Sequence, residues 1–146
     1  MKLSLIVIVL ILLTTACSHA QLMPTAYEAQ KLKDNDTLLI GKPLSSLLKE
    51  IGVPIKRVFT ESHRPHKAYS LLLFKFVDST AQRLYERAGK RSLSVLVYVL
   101  ENFDWNKPDS ARFQWTPEDA ARLGHLTVAR IGIAGEYLGD NPPVLF

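Results

Sequence analysis

Cysteine is almost absent: the single thiol in 146 residues, Cys17, has no partner within the chain, so no disulfide framework can hold the fold. Stability must come from an apolar core. Excess charge of one sign is missing too. The formal net charge is +4, and it falls to +3 if Lys2 is removed with an N-terminal signal, too little for the basic stripe with which proteins track phosphate backbones. Nucleic acid is therefore not an expected partner. No Gly-x-Ser-x-Gly elbow and no phosphate loop of recognised geometry occurs, which removes the common sequence marks of serine hydrolases and nucleotide enzymes. Internal repeats and low-complexity stretches are absent. The longest apolar run, Leu3 to Leu13, is broken only by Ser4 and stops well short of the roughly 20 residues a membrane span needs.

That run has a different meaning. Lys2, the apolar stretch and the small or polar residues behind it follow the order of a bacterial secretory signal. Leu13-Thr14-Thr15-Ala16-Cys17 resembles the lipobox of bacterial lipoproteins, which implies cleavage after Ala16 and a diacylglyceryl group on Cys17; Thr14 stands where that pattern prefers an aliphatic residue. Ser18-His19-Ala20 alternatively fits ordinary signal peptidase, releasing a soluble chain from Gln21. The lipobox reading is preferred because the only cysteine sits at its key position. The expected organisation is a signal over 1–16 (alternatively 1–20), a flexible tether over 17–36 and one domain over 37–146, on the periplasmic side of a membrane.

Within the domain, Leu44, Leu47, Leu48 and Ile51 form the apolar stripe of a short helix, opened by Pro43 and closed by Gly52 and Pro54. Residues 55–60 alternate as a strand, and residues 61–67 form a polar connection. Residues 69–77 are nearly continuously apolar, as in a central strand. Asp78 or Ser79 caps a helix carrying Ala81, Leu84, Tyr85 and Ala88, which Gly89 stops. Residues 93–100 form a strand with Leu93, Val95, Val97 and Val99 on one face. Thr116-Pro117-Glu118-Asp119 opens a short helix ending at Gly124, and residues 126–134 form a last strand with Ala129, Ile131 and Ile133 on a common face. Strands that do not alternate strictly with helices argue against a doubly wound parallel sheet. The expected fold is α+β: a four- to five-stranded, mainly antiparallel sheet with two or three short helices on one face.

Gly41-Lys42-Pro43, the helix with Leu47 and Leu48, and Ile51-Gly52-Val53-Pro54 resemble the opening of small outer-membrane assembly lipoproteins, although that family continues with a second helix where this chain enters a strand. This resemblance implies a shared architecture and no functional residue. Residues 38–137 as a whole, with Gly41 to Glu50 and Phe113 to Ala120, are similar to a family of small exported bacterial proteins of unknown function.

Three groups of residues are candidates for function. Glu61, His63 and His66 could hold a borderline metal or centre a small periplasmic hydrolase with Ser62 or Ser70, but their spacing matches no established set, and Arg64 and Lys67 oppose a dication. Phe103 with Trp105, and Phe113 with Trp115, sit at i, i+2 spacing around a turn, which predicts common faces on two extended segments. Turned outward, these rings are a platform for a glycan or an envelope protein; turned inward, they cap the core. Asp104, Asn106 and Asp109 in that turn lack the glycine and terminal glutamate of an EF-hand. Arg83, Arg87, Lys90 and Arg91 form a basic face able to meet anionic headgroups. No cofactor is expected. The preferred reading is a non-enzymatic envelope binding or assembly module anchored by lipid, with an enzyme or an inhibitor of an exported enzyme as the other readings.

Overall fold

Alternating apolar residues build the sheet, and three of the helices cover the face where those residues converge. The computed structural model describes residues 26–61 and 70–135. In chain order the elements are helix α1 (Ala26–Asp34), a 3-10 turn (Asp36–Leu38), α2 (Leu44–Glu50), β1 (Arg57–Glu61), β2 (Ser70–Lys75), α3 (Ser79–Arg87), β3 (Ser94–Val99), a second 3-10 turn (Asp109–Ala111), α4 (Pro117–Leu123) and β4 (Val128–Ala134). The four strands form one antiparallel sheet in the order β1-β2-β3-β4. This is the expected α+β arrangement.

Pairing places Val58 beside Phe74, Leu72 beside Val97, and Val97 beside Ile131, so one face gathers a continuous apolar layer. Ala29 of α1, Leu44 and Leu47 of α2, and Leu123 of α4 close over it. Each fully buried aliphatic or aromatic side chain contributes about 1.5–3 kcal/mol. The other face presents Arg57, Phe59, Leu71, Leu73, Leu96 and Tyr98, all partly exposed. There Arg57 and Lys75 face each other across β1 and β2. Partial burial and the neighbouring Arg57 charge hold the Lys75 ammonium below its usual pKa. Arg57 also donates a 3.0 Å hydrogen bond to Gln82, tying α3 to this corner, and α3 keeps its own small cluster of Val77, Ala81 and Tyr85.

Local chemistry sets the helix ends. Asp78 accepts hydrogen bonds from the amides of Thr80 and Ala81, both at 2.8 Å, satisfying two orphan donors at the start of α3. Thr116 and Asp119 form a reciprocal capping box at α4, with Pro117 at its first position.

Two features depart from what the sequence predicts. Residues 26–34, placed in the tether for want of periodicity, are helical, with Ala29 buried and α1 lying against β4. In β4, Val128 and Ile131 are buried, not Ala129 with Ile131. Tyr98 pairs with Arg130 and Val99 with Val128, so Ala129 is a bulge residue that shifts the inward face by one position.

The link from β3 to β4 is clamped by one carboxylate. Glu101 accepts hydrogen bonds from the Thr127 amide at 2.7 Å and its hydroxyl at 2.6 Å. Desolvation raises its pKa, but the Thr127 bonds outweigh that and leave the carboxyl below its usual value. Hydrogen bonds to a charged group contribute about 1.5–3 kcal/mol, so Glu101→Ala is expected to remove about 2 kcal/mol in urea denaturation. An unchanged midpoint would show that the clamp is only geometric.

Candidate binding site

A mainly apolar cavity of about 550 Å³ opens beneath α1. Its origin is local. After α2 the chain leaves the helix at Ile51, and Ile51, Gly52 and Val53 line one side of the cavity. Phe76, Leu93 and Val95 form the floor where β2 ends and β3 begins. Leu32 of α1 and the turn residues Leu38 and Leu39 complete the wall. The floor is nearly sealed from water, Leu93 being 2% exposed, whereas Leu38 at the mouth is 69% exposed.

Among the described lining residues, the charged and amide side chains are Lys31, Asn35 and Glu50. Lys31 and Asn35 stand one turn apart at the end of α1, and Glu50 comes from the end of α2. All three are exposed. Among the described residues, neither Lys31 nor Glu50 has an ion-pair partner, while Lys33 is paired with Asp36. A mainly apolar cavity with a few charged groups at its entrance can hold an apolar ligand and orient its polar end.

The four aromatic candidates do not form one platform. Phe103 is buried in the core, and Trp105 and Trp115 pack against it. The two indoles stack with centroids 6.2 Å apart, and Trp115 meets Phe74 edge-on at 5.0 Å. Phe113 is 41% exposed and lies 4.7 Å from Phe59, whose side chain leaves the opposite face of the sheet from Phe74. The expected common face of Phe113 and Trp115 is thus split. The reason is the turn at Asp109–Ala111 and the Gln114 to Ala111 hydrogen bond, which replace a simple extended segment.

This loop is tied down throughout. Trp105 Nε1 donates to the Arg112 carbonyl at 2.8 Å, Lys107 Nζ to the Gln114 carbonyl at 2.8 Å, and Arg122 to the Asp104 carbonyl at 2.8 Å. Lys107 and Arg122 lie 4.7 and 5.8 Å from the Trp105 ring centroid. Beneath them, Asp119 is 4% exposed and binds Lys107 Nζ, the Thr116 amide and the Thr116 hydroxyl.

Of the remaining candidates, Glu61 ends β1 and is partly buried, while Cys17, Ser62, His63 and His66 lie outside the described residues. Ser70 is buried and donates to Asn102 at 3.0 Å. Among the described residues no three His, Cys, Asp or Glu side chains gather as a metal set, and no helix is long and apolar enough to cross a membrane. Arg83, Arg87 and Arg91 are exposed. Comparison with known proteins found no matching family, curated protein or solved structure.

Sequence reasoning missed the cavity because its walls come from five separate segments. A signal existed in Leu38-Leu39-Ile40, an apolar triplet shortly after a polar helix, of which only Leu39 is buried.

Proposed function

We propose that this chain is a non-enzymatic binding module of the bacterial cell envelope, held on the periplasmic side of a membrane by lipid on Cys17. The observation that carries the binding reading is the apolar cavity beneath α1, whose volume of about 550 Å³ falls within the 300–1,000 Å³ range of small-molecule sites. Its lining offers apolar contact, with charge only at the rim, as suits capture of a ligand. The envelope reading rests on the N-terminal order of Lys2, an apolar run and Ala16-Cys17. A module made this way meets envelope partners, protein or glycan, at the membrane surface.

Expression with the native signal, beside Cys17→Ala, tests the address. The expected native product carries acyl mass and sediments with membranes, and both properties are lost on substitution. A native product that is soluble and begins at Gln21 overturns the anchor.

A further inference from the structure

We propose that the cavity beneath α1 binds a single-chain phospholipid with a zwitterionic, amine-bearing headgroup, its acyl chain inside and its head across the Lys31–Glu50 rim. This deepens the reading of the cavity as the binding site and rests on it.

Volume sets the number of chains. An apolar cavity of about 150 Å³ accepts the six carbons of benzene, so at the same ratio 550 Å³ accommodates about twenty carbons. That is one acyl chain with part of its glycerol, not two. The wall chemistry agrees, since Leu32, Ile51, Val53, Phe76 and Leu93 offer a chain no polar partner in the interior.

The rim selects the head. Lys31 on α1 and Glu50 on α2 place one positive and one negative group at the same entrance, with no ion pair between them. Asn35 donates to the Lys31 carbonyl at 2.8 Å and retains a second amide hydrogen for an anionic oxygen. A phosphate satisfies Lys31 and Asn35, and an ammonium satisfies Glu50. A fatty acid or an anionic phospholipid serves Lys31 but brings like charge to Glu50. The 69% exposed Leu38 at the mouth is then covered by the outer end of the bound chain.

The test uses the Cys17→Ala chain made with its own signal, purified without detergent and stripped of lipid. The probes are C16 lysophosphatidylethanolamine, C16 lysophosphatidylglycerol and palmitate, each kept below its micelle concentration and followed by native mass spectrometry and calorimetry. One lysophosphatidylethanolamine is expected per chain, at least tenfold tighter than either other probe. Glu50→Lys, at an exposed position, is expected to reverse the order in favour of lysophosphatidylglycerol. Leu38→Glu should weaken all three at least tenfold, while Leu100→Glu, another exposed apolar site, should change nothing. Absence of a lipid adduct, equal binding of the three probes, an unreversed order in Glu50→Lys, or equal losses in Leu38→Glu and Leu100→Glu would each overturn the proposal. Failure here with intact membrane fractionation removes the ligand class alone, whereas a soluble native chain that still binds the lipid removes only the anchor.

Discussion

Gly135→Ala is expected to lower the stability of the folded chain by about 4 kcal/mol or more, a large share of the 5–15 kcal/mol typical of a domain. Gly135 follows β4 with φ +83°, a conformation that L residues avoid. A Cβ at this position would lie 2.1 Å from the Ser92 carbonyl oxygen and 2.7 Å from its carbon. Backbone cannot swing aside as a side chain does, and Ser92 is buried two residues ahead of β3. Relief must therefore separate the ends of β3 and β4, where Ser94 pairs with Ala134. Gly89→Ala supplies the internal control. Gly89 has φ +66° but no atom within 4 Å of the added carbon, so it isolates the conformational penalty of about 1–2 kcal/mol. Urea denaturation of both variants reads the difference. Equal losses would mean that the approach of Gly135 to Ser92 does not constrain the native state.

Elements were legible wherever one local signal was sufficient. The stripe of Leu44, Leu47, Leu48 and Ile51 needs only helical spacing, and Asp78 needs only a short carboxylate before a helix; both lie where the residues predict. Alternation in residues 93–100 correctly separates Val95, Val97 and Val99 from Leu96 and Tyr98, because β3 is regular along its paired length. The chain was less legible where tertiary structure made the decision. Helix α1 has the composition of a good helix former, Ala-Tyr-Glu-Ala-Gln-Lys-Leu-Lys-Asp, but too few apolar residues to mark a face, and propensity was the remaining clue. The β4 bulge left no mark in the sequence, since Val128, Ala129 and Ile131 all suit a strand and partner register selected among them. The cavity was hidden for a related reason. Leu93 and Leu38 look alike as letters, yet one is buried in its floor and the other stands exposed at its mouth. The aromatic loop mixed both cases: four rings were visible, but the backbone bonds of Gln114 to Ala111 and of Val58 to Phe113, which set Phe113 apart from Trp115, were not.

Asp119→Ala is expected to destabilise the chain by about 3 kcal/mol at neutral pH, the lower end of what removing one partner from a buried ion pair costs. The buried Asp119 carboxylate anchors the ammonium of Lys107, whose side chain is only 14% exposed, and closes the capping box of α4. Its loss leaves Lys107 without its counter-ion beneath the Trp105 ring and frees the Thr116 amide. Burial alone raises the Asp119 pKa, but the bonds from Lys107 and Thr116 outweigh it and hold the carboxyl below its usual range. A carboxylate with a depressed folded pKa stabilises above its unfolded value, near 4, and that contribution is lost as pH falls through the folded value. The stability gap between the native chain and Asp119→Ala should therefore be full at pH 7 and shrink below about pH 4. Indole fluorescence should change in the folded variant, because Lys107 and the stacked pair of Trp105 and Trp115 share this anchor. Combining Asp119→Ala with Lys107→Ala should be markedly less damaging than the sum of the two, as expected for groups in direct contact. Additive losses, or a gap that persists unchanged at pH 3, would mean that the loop is held by Trp105 and Arg122 and not by the carboxylate beneath it.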